Sequence, residues 1–413
     1  MNAGHEVTFT QQGMWVTEQL VGAGTAYHMP LLIGLDGDLD ADTLLAACAA
    51  LVERHPMLGQ VAAEAEGGLR LVPGADVPVR SLRVTEGVEA AVREEILRGF
   101  DLEKGPLARF TLLETGPGRH VLVFVAHHLV FDGHSKDVLA GDLAALYNGE
   151  PLTPLASLDH GAMERERVAA LLPEARDFWK SRWREQGETV LLGRTLRSRR
   201  AGEGRELSFT AVPSAVPGLT RFETLLAALH VLLRGYGNDR VTTAVDLSTR
   251  PKEAAGHIGL FVNELPVSSA PSVEEDFGSF ATALRAGLRE VYRFRQVPLV
   301  RAMPRIRPHA ALVPVSVSYR TRRDADPVFT GLDASVEWTV FNHAVRGALH
   351  LQCVDGPGGL TVSLRYDPEV VSDARKVADD LRLLLERATS APEKPINTLL
   401  NDTLEKRWVP SPP

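Results

Sequence analysis

The chain has 413 residues, 44% of them hydrophobic and 24% charged, with 45 Lys plus Arg against 53 Asp plus Glu and a formal net charge of −8. That length exceeds what one hydrophobic core supports, so two domains of roughly 150 to 230 residues are expected, and two domains offer a cleft. The acidic balance argues against nucleic acid as a partner, because phosphate binding needs a basic face; a local basic patch at Arg194 to Arg205 is the exception. The start of the chain, Met1-Asn2-Ala3-Gly4-His5-Glu6, lacks the basic segment and apolar core of a secretory signal, and the longest apolar runs are strand-length. A cytosolic protein with no membrane partner is predicted. Cys48 and Cys353 stand far apart without a partner motif and read as small buried side chains, not as a disulfide or a metal site. Disorder is expected only at the terminal Pro-Ser-Pro-Pro.

In chain order, Gln11 to Gln19 places Met14 and Trp15 at helical spacing, and Met29 to Leu35 is extended. Asp40 to Thr43 offers acidic capping for a helix whose apolar face is Leu44, Leu45, Cys48, Leu51 and Val52; Pro56 ends it near Arg54-His55. Leu107 to Glu114 and His120 to Ala126 predict an antiparallel hairpin closed by Gly116-Pro117-Gly118-Arg119. The second of these strands is apolar at nearly every position, as a central strand buried on both faces should be. Ser135 is placed to cap the following helix, in which Val138, Leu139, Leu143 and Leu146 recur at helical spacing. Between Asp159 and Arg205 charged helices give way to an aperiodic stretch, and the domain connection falls there. Leu225 to Tyr236 is a helix, Val241 to Leu247 and Val313 to Tyr319 are strands, and Leu349 to Cys353 with Leu360 to Tyr366 forms a second hairpin. Val377, Leu381, Leu384 and Leu385 mark a terminal amphipathic helix.

Between the first hairpin and its following helix lies His127-His128-Leu129-Val130-Phe131-Asp132-Gly133, the pattern H-H-x-x-x-D-G. Adjacent histidines on a strand point to opposite faces, so they are poorly placed to share one metal. One histidine belongs to the interior and the other to a cavity, where a neutral imidazole near its ordinary pKa of about 6.5 accepts a proton at physiological pH. Asp132 is expected to fix the loop by pairing inward, and Gly133 to let the backbone approach a reacting group. The helix beginning near Ser135 aims its N–H groups and positive dipole end at the same place, where a developing oxyanion would be stabilised. The chain has no G-x-S-x-G elbow and no catalytic cysteine context, so direct transfer between two bound substrates fits better than a covalent acyl-enzyme. The motif occurs once, which implies one active site.

These residues resemble the condensation domains of nonribosomal peptide synthetases, in the chloramphenicol acetyltransferase-like superfamily. Thr10-Gln11-Gln12-Gly13-Met14-Trp15 is similar to the family's opening segment, with Gly13 where an Arg is usual. Tyr27-His28-Met29-Pro30, Leu39-Asp40 and Leu51-Val52-Glu53-Arg54-His55-Pro56-Met57-Leu58 resemble its second block. Ile258-Gly259-Leu260-Phe261-Val262-Asn263-Glu264-Leu265-Pro266 resembles I-G-x-F-V-N-T-L-P, and Phe178-Trp179 and the helix from Leu225 match weaker landmarks. The H-Q-D-x-P-F-E block departs to Phe294-Arg295-Gln296-Val297-Pro298-Leu299-Val300.

The resemblance implies an α+β fold built as two-layer α/β sandwich halves, residues 1–175 carrying the motif and residues 176–413 following. These would be two acetyltransferase-like subdomains arranged as a V around a central tunnel. It implies that His128 and Gly133 are catalytic, that His127 is structural, that Asp132 pairs with Arg54 to hold the loop, and that Asn263 lies on a bridging strand by the tunnel. No bound cofactor and no metal are implied, since phosphopantetheine arrives on a carrier protein as part of the substrate. The implied reaction transfers an acyl or aminoacyl group from that thioester to an amine or alcohol, free or carrier-bound, forming an amide or ester in peptide or related antibiotic biosynthesis. The absence of adenylation, carrier and thioesterase segments reads as a free-standing enzyme. The rival is a noncatalytic module of the same fold that recruits a carrier protein or partner enzyme; degenerate relatives lose the second His or the Gly, and this chain keeps both.

Overall fold

The structure, a computed structural model, describes residues 5–65, 68–184, 188–197, 200–306, 309–322 and 325–404. The terminal Pro-Ser-Pro-Pro lies outside the described residues, as does part of the Arg194 to Arg205 stretch. The fold is α+β and divides into two compact units, each discontinuous in sequence. The first is Met1–Ala170 with Thr249–Val262 and Asp324–His343; the second is Leu171–Ser248 with Asn263–Arg323 and Ala344–Pro413. Two segments that a division at residue 175 assigns to the C-terminal half, 249–262 and 324–343, thus cluster with the first unit. Among the described residues no helix is long and apolar enough to cross a membrane.

The first unit is organised by a five-stranded sheet in the order Leu332–Glu337, His28–Gly37, Arg119–His127, Ala108–Gly116, Val79–Arg83. The predicted hairpin is Ala108–Gly116 with Arg119–His127, antiparallel and paired from Ala108 opposite Ala126 to Gly116 opposite Arg119. Its second strand is central, so both of its faces are covered. Val123 and Val125 pack on Ile96, Leu113 and Val340, while Phe124 turns the other way between Phe110 and Phe131, ring centroids 4.8 and 5.0 Å apart. The strand Leu332–Glu337 completes the sheet by pairing antiparallel with His28–Gly37, far away in the chain. The helix Phe9–Val21 starts on a reciprocal cap in which Thr8 accepts from the Gln11 N–H and the Gln11 side chain returns the bond. The helix Ala41–Arg54 is capped by Asp40 and stops where His55 precedes Pro56.

The second unit carries a six-stranded mixed sheet, Arg205–Ala211, Gly359–Tyr366, Leu349–Gly356, Val315–Thr321, Val241–Ser248 and Val262–Ser269. Its second hairpin closes at Gly356 opposite Gly359. The helices Arg221–Gly235 and Ala374–Ser390 bury Leu225, Leu229, Leu381 and Leu385. Cys48 and Cys353 are both free and buried, and burial pushes the Cys48 thiol up to about 12.

Phe124 has no exposed surface and lies between two other rings, so Phe124→Ala should cost about 3–5 kcal/mol by urea denaturation, the usual price of a large core cavity. A second prediction concerns pH. Burial pushes His28 and His160 down to about 4 and His230 and His350 down to about 3. A histidine whose folded pKa is depressed contributes stability above its unfolded pKa, about 6.5, and that contribution is lost as pH falls toward the folded value. Burial acts oppositely on two carboxyls, raising Glu164 to about 7 and raising Asp246 as well, and these gain stability as pH falls. The four histidines outnumber them, so the urea midpoint should be lower at about pH 5 than at about pH 7. A higher midpoint at the acid end would contradict this balance.

Candidate active site

The strand Arg119–His127 ends with His127 in register with His28. The chain then turns on itself. The His128 N–H donates to the Tyr27 carbonyl at 2.8 Å, and the Val130 and Phe131 N–H groups donate back to the carbonyls of His127 and His128 at 3.1 and 3.4 Å. Leu129, Val130 and Phe131 are fully buried, which anchors the turn in the core and leaves His128 half-buried beside it. Asp132 follows in extended conformation and the helix Gly133–Tyr147 begins directly after it. Ser135 is therefore not the cap. Asp132 is, because its extended backbone aims the carboxylate at the Ser135 N–H, 2.8 Å away, and Ser135 sits in the first turn.

The two adjacent histidines are held in opposite tautomers. A carbonyl can only accept, so the 2.6 Å contact between His128 Nδ1 and the Phe131 carbonyl places the proton on Nδ1 and leaves the lone pair on Nε2. In His127, Nδ1 accepts from the Leu129 N–H at 3.1 Å, so Nε2 carries the proton and donates to Glu18 Oε1 at 3.3 Å. Burial raises the Glu18 carboxyl, but the bonds from His127 and from the Ala23 N–H outweigh it and hold Glu18 below the usual range. His127 is buried, edge-on to Tyr27 and Phe100. Both rings are thus oriented by protein groups, His127 through both nitrogens and His128 through Nδ1.

Asp132 is 1% exposed. Its Oδ1 accepts from Arg250 Nη2 at 2.8 Å and lies 2.8 Å from Ser135 Oγ, and its Oδ2 accepts from the Phe261 N–H and from Arg250 Nη2, each at 3.0 Å. Ser135 Oγ also accepts from the Gly259 N–H and from Arg250 Nη2, each at 3.1 Å. Arg250 lies over the Phe261 ring at 4.2 Å and donates through Nη1 to the Ala254 carbonyl at 2.9 Å. Burial draws the Arg250 guanidinium below its ordinary range, and the Asp132 carboxylate pulls it back up. Asp132, Ser135, Arg250, Gly259 and Phe261 all belong to the first unit.

The expected partner of Asp132 is corrected by this geometry. Arg54 ends its helix beside the helix Gly133–Tyr147 and bonds Asp142 there, Nε to Oδ2 at 2.7 Å. The same oxygen meets His55 Nε2 at 2.8 Å. Asp142 lies well along that helix from Asp132, so Arg54 reaches the nearer acid, and these two partners outweigh burial to keep Asp142 below the ordinary carboxylate range. Asn263 belongs to the second unit, where its Nδ2 donates to the Arg295 carbonyl at 2.8 Å. Sequence reasoning missed Arg250. Its one local signal is position, since it directly follows the strand Val241–Ser248 and Thr249 and precedes Pro251.

In this α+β fold a histidine, a buried carboxylate and a glycine stand together where a central strand meets a capped helix. The chain belongs to the condensation-domain family, whose model matches residues 3–407. It is 26% identical over 439 residues to tyrocidine synthase 3 of Brevibacillus parabrevis, covering 95% of this chain and 6% of that protein. It is 29% identical over 442 residues to chondramide synthase cmdD of Chondromyces crocatus, covering 97% of this chain and 11% of that protein. The chain therefore spans only a small part of these curated relatives. Among solved structures, the X-domain from teicoplanin biosynthesis is similar with a TM-score of 0.81 at 21% identity, covering 98% of both chains. The first condensation domain of the calcium-dependent antibiotic synthetase, in complex with a substrate analogue, gives 0.80 at 20% identity, covering 96% of this chain and 98% of that one.

Arg250→Ala would leave the Asp132 carboxylate buried without its cation, at a cost of about 3–5 kcal/mol. Arg54→Ala should cost clearly less, because that pair is less deeply buried than Arg250–Asp132 and His55 stays on Asp142. Chemical denaturation of the two variants separates these values; equal losses would argue against Arg250 as the main partner.

Proposed function

We propose that the protein transfers an acyl or aminoacyl group from the phosphopantetheine thioester of a carrier protein to an amine or hydroxyl acceptor, free or carrier-bound. The observation that carries this reading is the 2.6 Å contact of His128 Nδ1 with the Phe131 carbonyl, which in the neutral ring makes Nε2 the nitrogen able to accept a proton. The acceptor's nitrogen or oxygen attacks the thioester carbonyl, a C–N or C–O bond forms, the C–S bond breaks, and the departing thiolate takes up the proton the nucleophile loses. A thiolate leaves readily, so the demand falls on the nucleophile. His128 removes or orients its proton through Nε2, an effect for which general base catalysis supplies about 10² to 10⁴ fold. Gly133 opens the helix, so its N–H stands in the first turn, where the dipole is positive and a carbonyl developing negative charge is stabilised. Asp132 and His127 act as positioning residues, Asp132 by fixing the helix start and His127 by tying the strand end to Glu18. Carrier proteins and small acceptors are the partners this reading requires.

A second reading is recruitment without turnover. It draws on the likeness to an X-domain solved in complex with OxyB from teicoplanin biosynthesis, TM-score 0.81 at 22% identity. The retained His128 and Gly133 favour acyl transfer. Acyl carrier thioesters incubated with a panel of amines and alcohols, read by intact mass, decide between the two. The expected result is acylated acceptor with the wild-type chain and at least about a 10²-fold slower reaction with folded His128→Ala. Near-normal turnover by that variant would remove the role assigned to His128, and carrier binding with no product across the panel would favour recruitment.

A further inference from the structure

Within the first unit, a cavity of about 320 Å³ is walled by residues from the start of the chain, the end of the helix Ala41–Arg54, the segment 155–161 and the segment 257–258. Neither His128 nor any other residue of the seven-residue loop lines it. The volume is that of a small-molecule site, and such sites are mainly apolar with a few placed polar groups. Met57, Leu71, Leu155, Leu158 and Ile258 supply the apolar wall here. The imidazole of His160, which burial keeps neutral down to about pH 4, stands edge-on to His257 at 5.6 Å and adds aromatic surface.

Its lining carries one acid, Glu6, and one guanidinium, Arg54. The Glu6 carboxylate is bonded by Arg165 Nε and lies 3.8 Å from Arg70. Arg54 is the cation. A guanidinium has five N–H donors, and among the described residues Arg54 uses only Nε, toward Asp142. Its side chain is 17% exposed, so the remaining fork of donors faces a largely apolar space, the setting in which a guanidinium takes a carboxylate in two parallel bonds.

We propose that this cavity binds a small carboxylate with an apolar body, an acyl or aryl acid free in solution, with Arg54 holding the carboxylate and Leu155, Leu158 and Ile258 holding the body. The site is separate from the acyl-transfer reading and stands or falls without it. Its back wall, His257–Ile258, lies in the segment that carries Arg250 and Phe261, so an occupant bears on the segment that clamps Asp132.

The test is calorimetric titration of the full chain with octanoate and, separately, with octanamide, which keeps the body and removes the charge. Octanoate should bind, octanamide at least about tenfold more weakly. Arg54→Gln should reduce octanoate to the level of octanamide, and Leu158→Trp, which fills the cavity while leaving Arg54 in place, should abolish binding of both. Should Arg54→Gln fail to fold, the octanoate and octanamide comparison with Leu158→Trp still decides. Absence of octanoate binding at millimolar concentration, equal binding of acid and amide, or unchanged octanoate affinity in Leu158→Trp would each overturn the proposal.

Discussion

The candidate site depends on one buried ion pair. Asp132 lies at the junction of a central strand, a tight turn and a helix, and a carboxylate with 1% exposure is tolerated there only because Arg250, Ser135 and the Phe261 N–H all donate to it. Burying such a charge without those partners costs several kcal/mol, so the segment Thr249–Phe261 and the motif loop are folded as one piece. The Thr249 N–H closes that segment by donating to the Phe261 carbonyl at 2.9 Å, and the Phe261 ring covers the guanidinium. The motif's Asp is thus the cap of one element and the counter-ion of another.

With Asp132 fixed, the turn before it has little freedom. Three buried apolar residues pull it into the core, Phe131 against Phe124, and the carbonyl of Phe131 is thereby set 2.6 Å from His128 Nδ1. The same run of backbone that buries Leu129 presents its N–H to His127. Two adjacent histidines therefore receive opposite tautomers from a single turn, and the chemistry of each follows from which nitrogen the backbone occupies. His127 closes the structure toward Glu18, while the ring of His128 is set by the Phe131 carbonyl.

How much of this is legible in the sequence follows the range of each interaction. The hairpin is legible because Gly116-Pro117-Gly118-Arg119 separates two apolar runs, and the helix Ala41–Arg54 because Asp40 and Pro56 bracket it. The cap of the motif helix is misplaced by three residues, since Asp and Ser are both good caps and only the backbone angle at Asp132 decides between them. The partner of Asp132 lies 118 residues away, beyond any periodicity, and Arg54 suggests itself because its block matches the family while its actual acid, Asp142, sits unmarked on a helix. The strand Leu332–Glu337 is hidden for a similar reason. It is an edge strand with alternating exposure, and nothing local tells that its partner is His28–Gly37.

The most direct measurement is the tautomer of His128, read from long-range proton–nitrogen correlations of the labelled protein at a pH where the ring is neutral. With His128→Gln used to assign the resonance, the proton should sit on Nδ1 and the lone pair on Nε2. A proton on Nε2 would mean that the Phe131 carbonyl does not hold the ring and that the loop does not present a base, which contradicts the account at its centre.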